Sequence, residues 1–336
     1  MGLQVCAATV AYNNPRDLTR LLSSLKNQGP TLRGLIIIDN SDHRCAAENR
    51  KVFDIYSKEY AFAQYHKTKS NEGSAGGFRL GMKIAHESGF EWVWVLDQDG
   101  IASNRCLSEL LRRANIGDIL CPQKVDIDNP SVVYTRTRLR KNFLGHLHPV
   151  RLSGAKCQID AFGTHGVLIS KKVMDSIGYY NACNFFVGYE DYDYARRALQ
   201  AKFAVIAVDE AEVRHPDLAP TFLDPNGQRK RVDIHGLRPD LLGYVTKLSR
   251  GENGCKKDRS LLLFSWFYLL TESLKSWQFA IALAYSLCML LVKFAWIRRE
   301  ISMQDTLNAY AKCLRSNVKK EWSYGCVEEF CQHIRK

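Results

Sequence analysis

Three short apolar runs, each breaking off at a polar cluster, constrain this chain more than anything else in its sequence. Residues 3–12 read as a buried strand. Asn14-Pro15 follows as helix cap and first helical residue, and Leu18, Leu21, Leu22 and Leu25 recur at helical spacing. Leu35-Ile36-Ile37-Ile38 is a second run and stops at Asp39-Asn40-Ser41. A helix is expected over 45–58 and a short strand near 61–66. The Gly-rich segment 71–77 opens a helix reaching about Glu87, and Trp92-Val93-Trp94-Val95-Leu96 is a third strand that stops at Asp97. Strands and helices alternating in this way predict an α/β domain with a mostly parallel sheet, where ligands bind beyond the C-terminal strand ends. Asp39, residues 71–77 and residues 97–99 all fall at such ends.

Each cluster has a chemical and a structural reading. Asp97-Gln98-Asp99 puts two carboxylates at i and i+2, which can share one divalent cation with a diphosphate; hard oxygen ligands suit Mg2+ or Mn2+. The alternative is an acidic turn after a strand. In Asn71-Glu72-Gly73-Ser74-Ala75-Gly76-Gly77-Phe78-Arg79 the glycines let backbone N–H groups approach a ligand, and Arg79 is a candidate phosphate partner. The segment is neither a P-loop nor a dinucleotide fingerprint, and the alternative is a tight turn with a glycine cap. Glu190-Asp191-Tyr192-Asp193 opens a helix near Phe185-Phe186. A carboxylate there is a candidate general base, or simply complements the helix dipole. His215, after a strand that includes residues 204–208, is a candidate metal ligand, and His165 in Gly163-Thr164-His165-Gly166 is a candidate at the acceptor side.

The last third differs in composition. The whole chain of 336 residues carries +12, but residues 1–226 hold only +3 of it and residues 227–336 hold +9. Residues 260–271 and 276–292 are uncharged, and the second run falls just short of the ~18–20 apolar residues a spanning helix needs. Lys275, Lys293, Arg298 and Arg299 flank it, with Trp277 and Trp296 near its ends, as in an interfacial helix; a buried core helix is the alternative. The 11 cysteines include no CxxC pair, which reads as reduced thiols of a cytoplasmic protein, and the N-terminus has no signal-peptide pattern.

Taken in order, these pieces resemble the inverting glycosyltransferases of family 2. Thr9-Val10-Ala11-Tyr12-Asn13 is similar to the family's first strand and Ile38-Asp39-Asn40-Ser41 to its second, whose Asp meets the nucleotide base. Asp97-Gln98-Asp99 is similar to the DxD motif, and 178–191 to the stretch carrying the base. The resemblance covers roughly residues 3–216. It implies a GT-A fold (α/β, Rossmann-like, mostly parallel sheet) over residues 1–220, followed by a C-terminal helical extension over 221–336. It also implies Asp191 as base; Asp97, Asp99 and His215 as ligands of Mg2+ or Mn2+; and Thr9, Asn13, Asp39, Asn71, Gly76, Gly77, Arg79 and Asp97 around a nucleotide-sugar. Thr164, His165 and Glu190 would lie at the acceptor. Gly73-Ser74-Ala75-Gly76-Gly77-Phe78 is similar to galactofuranosyltransferases, whereas the DQD triplet is more like rhamnosyltransferases of O-antigen assembly.

The expectation is therefore a metal-dependent inverting enzyme in bacterial surface-polysaccharide synthesis. It would move a sugar from UDP-galactofuranose, or alternatively dTDP-rhamnose, to a hydroxyl of a lipid-linked glycan. The +9 of the last third would hold it, as a peripheral protein, to the anionic inner face of the cell membrane, with oligomerisation left open. Three competitors are weaker. A nucleotidyltransferase would need an early Gly-rich, Lys/Arg-bearing loop that is absent. A nucleic-acid binder is suggested by charge alone, so no nucleic-acid partner is expected. A non-catalytic membrane scaffold predicts neither donor turnover nor a metal effect.

Overall fold

The sheet is built in chain order from its first strands and then departs from it. The computed structural model describes residues 4–216, except 129, 131, 132, 134–137, 142–146, 150–156, 184 and 189, together with Thr221–Leu223 and Arg229–Arg231. The expected C-terminal helices, including 276–292, lie outside the described residues. The elements run β1 (Val5–Ala11), α1 (Pro15–Leu25), β2 (Leu32–Asp39), α2 (His43–Tyr56), β3 (Phe62–Lys67), α3 (Gly73–Glu87), β4 (Trp92–Asp97), β5 (Ile101–Ala102), α4 (Cys106–Leu111) and β6 (Ile119–Asp126). After two short strands, β7 (Arg138–Lys141) and β8 (Leu147–Pro149), come β9 (Cys157–Gln158), β10 (Ala161–Phe162), β11 (Val167–Ser170), α5 (Lys171–Ile177), α6 (Glu190–Gln200) and β12 (Val205–His215). Thr221–Leu223 and Arg229–Arg231 pair as an antiparallel hairpin.

Local chemistry sets these boundaries. Asn14 caps α1, its side chain accepting from Asp17 N–H at 3.2 Å, with Pro15 as first helical residue. Asp42 caps α2 by accepting from Cys45 N–H at 2.8 Å. The main sheet runs β3-β2-β1-β4-β11-β6-β12-β5, with β9 on the side of β12. The β3-β2-β1-β4 half is parallel throughout, as is the long β6–β12 ladder. Within this mostly parallel sheet β11 enters antiparallel between β4 and β6, and β5 and β9 pair antiparallel with β12.

Alternation along the strands sends side chains to two cores. On one face Ala7, Leu35, Ile37 and Trp94 pack with Leu18, Leu21 and Leu22 of α1 and with Leu107 and Leu110 of α4. On the other Ala8, Ile36, Val93 and Val95 meet Phe78 and Met82 of α3, Val173 of α5 and Tyr194 of α6. The domain is thus a three-layer α/β/α sandwich. Burying a side chain such as Leu21 or Ile36 contributes roughly 1.5–3 kcal/mol relative to exposure. Cys6, Cys45, Cys106, Cys121 and Cys183 form no disulfide. Among the described residues no helix is long and apolar enough to cross a membrane.

Candidate active site

The antiparallel entry of β11 builds the site. Because Val167 pairs with Val95, the turn just before β11 lies beside the C-terminal end of β4, where Asp97 sits. Gly166, at φ +84°, makes that turn, and Trp94 Nε1–H donates to its carbonyl at 2.8 Å. His165 therefore reaches Asp97, its Nδ1 2.7 Å from Asp97 Oδ2. From the other side β12 runs parallel to β6 and delivers its last residue, His215, to the same place. His215 Nε2 is 2.9 Å from Asp99 Oδ1 and 3.9 Å from Asp97 Oδ2, and the two imidazole rings stack edge-on at 4.7 Å. His215 Nδ1–H donates to the Pro216 carbonyl at 2.7 Å, which orients the ring with Nε2 toward the carboxylates.

This donor set suits a divalent cation. Asp97, His165 and His215 offer ligand atoms that all lie within 4.8 Å of one another, with Asp99 touching the group through His215. Burial, then the charge of Asp99, pushes the Asp97 carboxyl well above the usual carboxylate range. Burial also pulls Asp99 upward, but the His215 hydrogen bond and charge outweigh it and hold Asp99 below. Two carboxylates in unequal, partly dry surroundings are a charge pattern that a cation relieves. Lys124 on β6, buried and missed by sequence reasoning, adds a cation to the cluster: its Nζ is 3.4 Å from His165 Nε2. His165, expected at the acceptor side, stands in the cluster with Asp97 and His215. Only the glycines around it hinted at a tight turn, and nothing local indicated that β11 would be inserted next to β4.

The second group sits at the start of α6. Asp191 Oδ1 accepts from Tyr192 N–H at 2.8 Å and Oδ2 from Thr164 N–H at 3.2 Å, so two backbone groups orient the carboxylate. Thr164 is itself buried, with its hydroxyl 3.0 Å from Tyr180 OH; it positions Asp191 and offers no open surface of its own. Glu190 is buried and accepts a short hydrogen bond from the Ser74 hydroxyl. Burial, then the charge of Asp191, pushes its carboxyl up to about 8. Asp97 feels both Glu190 and Asp191 electrostatically, so the two groups share one neighbourhood.

Most of the residues expected around a nucleotide are engaged with other parts of the protein. Asp39 is fully buried. Its Oδ1 accepts from Ser41 N–H at 2.7 Å and its Oδ2 from Asn49 Nδ2 at 3.0 Å and from Tyr65 OH. It braces the β2 end from within. Thr9 is buried in β1. Asn13 is exposed at φ +46° and bridges loops: its N–H donates to Ser41 Oγ at 2.8 Å and its side chain accepts from Asp42 N–H at 2.8 Å. Asn71 caps the turn into α3, accepting from Gly73 N–H at 2.9 Å. Gly76 and Gly77 lie inside α3 and are buried. A Cβ on Gly77 would meet Val10 Cγ2 at 2.6 Å, and one on Gly76 would meet Glu72 Cβ at 2.7 Å, so both are packing residues here. Arg79 is exposed, with its guanidinium 3.6 Å from Cys183 Sγ.

With this geometry established, resemblance to known proteins becomes informative. Residues 6–177, just over half of the chain, match the family described as glycosyl transferase family 2. The chain belongs to that family. The galactofuranosyltransferase GlfT1 of Mycobacterium tuberculosis is 25% identical over 285 residues, covering 81% of this chain and 91% of that protein. Its namesake from Mycolicibacterium smegmatis is 24% identical over 284 residues, covering 80% and 90%. Among solved structures, GalNAc-T7 with UDP, GalNAc and Mn2+ superposes with a TM-score of 0.54 over 81% of this chain at 13% identity. The chain spans about half of that structure, 52% of its length, and the likeness establishes the GT-A-type fold. The family-2 chain is a glycosyltransferase.

Proposed function

We propose that this glycosyltransferase moves a sugar, with inversion, from a nucleotide-diphosphate donor to an acceptor hydroxyl, and that galactofuranose is the sugar. The observation that carries the reading is the convergence of Asp97, Asp99, His165 and His215 at the strand ends, next to a carboxylate, Asp191, held ready by two backbone N–H groups. In this reading Asp97, Asp99, His165 and His215 hold Mn2+ or Mg2+, and two imidazoles favour Mn2+. The cation, when bound, supplies charge neutralisation for the departing diphosphate. Asp191 accepts the proton of the acceptor hydroxyl as its oxygen attacks the anomeric carbon from the face opposite the leaving group. Thr164, with its backbone N–H on Asp191, keeps the base aimed. Glu190, beside it, lines the acceptor side.

Asn13, Asn71 and Asp39 shape the donor pocket from the β1, α3 and β2 ends, with Asp39 and Thr9 acting from beneath. Gly76 and Gly77 set how closely α3 approaches that pocket, and Arg79 stands at its rim. The similarity to galactofuranosyltransferases over about four fifths of the chain supports UDP-galactofuranose as donor and a lipid-linked cell-surface glycan as acceptor. The DQD triplet supports dTDP-rhamnose as the second candidate. The basic last third supports peripheral attachment to anionic lipid on the cytoplasmic side. Retention by anionic but not neutral liposomes is the expected outcome; equal retention by both overturns it.

A panel of nucleotide sugars tests the whole. Mn2+-dependent transfer or hydrolysis of UDP-galactofuranose alone is expected, and stabilisation by no nucleotide sugar overturns the reading. Asp191→Asn is expected to lose ~10²–10⁴-fold in kcat while still binding donor; full activity in that variant removes Asp191 as base.

A further inference from the structure

The middle residue of the DQD triplet is not a spacer. Asp97 and Asp99 turn toward the imidazoles, but the half-buried Gln98 reaches the other way, across to the end of β1. Its Oε1 accepts from Tyr12 N–H at 2.8 Å and its Nε2 donates to the Tyr12 carbonyl at 2.9 Å. The backbone ladder between β1 and β4 has its last pair at Val10 and Asp97. Beyond it, the carboxamide takes the place of a neighbouring strand's peptide group and extends the pairing to Tyr12. The next residue, Asn13, sits at φ +46° and is gripped from the opposite side by Ser41 and Asp42 at the β2 end. The loop between β1 and α1 is therefore held between two clamps, one on β2 and one on the metal-binding triplet itself.

We infer that Gln98 is a positioning residue for the donor: it fixes the distance between the loop at Tyr12–Asn13 and the carboxylates at Asp97 and Asp99, and so sets nucleotide-diphosphate affinity. The inference rests on the donor-binding reading above. The chemistry demands this side chain. A carboxamide donates and accepts at once, matching a peptide group, whereas an ionised carboxylate only accepts and would face the Tyr12 carbonyl with like charge. A ligand spanning the base side and the metal side touches both ends of the linkage. A lone cation touches only one.

The test uses the near-isosteric Gln98→Met in the full chain, with UDP as probe. Calorimetry is expected to show UDP affinity in saturating Mn2+ weakened about tenfold, the loss of two neutral hydrogen bonds. The donor KM should rise in parallel, kcat should stay within about threefold, and the affinity for Mn2+ alone should not change. Amide exchange at Tyr12 should accelerate in folded Gln98→Met, which checks the clamp itself independently of any ligand. Unchanged UDP affinity in the variant, or a fall in Mn2+ affinity as large as that for UDP, overturns the inference and leaves the donor reading standing. A wild-type protein that binds Mn2+ but no UDP or other nucleoside diphosphate overturns the donor reading, and this role with it.

Discussion

Two short polar segments, 71–77 and 97–99, look alike in the sequence: both follow a strand, and both suggest contact with a phosphate. The structure separates them. The carboxylates of 97–99 converge on imidazoles from two distant elements. The glycines of 71–77 are consumed by the protein itself. Gly73, at φ +71°, lies so near the 185–190 loop that a Cβ would meet the Phe186 carbonyl oxygen at 2.0 Å, and Gly77 admits Val10. Ala75 N–H donates to the same Phe186 carbonyl at 3.2 Å, and Ser74 to Glu190. A glycine permits close approach without saying what approaches. A carboxylate at a strand end, by contrast, needs a counter-charge from somewhere. The glycine segment therefore acts through α6: it fixes the helix that carries Asp191.

That division can be broken in order of effect. Asp99→Asn leaves His215 without its charged partner and is expected to cost about 4 kcal/mol of transition-state stabilisation, roughly a thousandfold in kcat/KM, with Tm measured without metal nearly unchanged. Gly73→Ala is expected to act on folding: strain at positive φ plus the clash with Phe186 should cost about 3 kcal/mol in urea unfolding. Activity per folded molecule should also fall, because the 185–190 loop must move. Gly77→Ala should cost about 1–3 kcal/mol with nearly normal kcat, as expected for packing against Val10 alone. If Gly77→Ala instead raises the donor KM tenfold while stability holds, the segment touches ligand after all.

The smallest effect is electrostatic. Folded Glu190 keeps its proton to about pH 8, against an ordinary value of 4.5. The folded state thus binds this proton more tightly than the unfolded chain. Its contribution to stability is full below about pH 4.5, declines as pH rises toward 8, and is flat above. Unfolding at about pH 5, 7 and 9 should show Glu190→Gln gaining on the wild type as pH rises. A constant difference across that range would mean that Glu190 stays ionised in the folded protein.

Much of this molecule was legible from residue pattern alone, for a physical reason. β1, β2, β4 and α1 announce themselves because burial and local capping determine them, and the helix opened by the Gly-rich segment ends at Glu87 as expected. Asp97, Asp99 and Asp191 stand out as candidates because charge at a strand or helix end is conspicuous, and His215 stands out through the family resemblance. His165 and Lys124 were not, because their proximity depends on β11 entering the sheet antiparallel, a long-range pairing with no local trace. The partners of Asp39 were not legible for a related reason: Asn49 and Tyr65 come from α2 and β3, and only packing brings them under the β2 end.

The insertion of β11 and the late arrival of β12 also give the site a history. His215 follows Asp97 by 118 residues in the chain. At ~5–20 residues per second, a ribosome makes the parallel half of the sheet about 6–24 s before it makes the last imidazole. Through that interval Asp97 and Asp99 face each other without His215, and β6 waits without its long parallel partner. The nascent chain can therefore complete its first parallel strands well before Asp97, His165 and His215 can converge, and that cluster is assembled only when β12 docks.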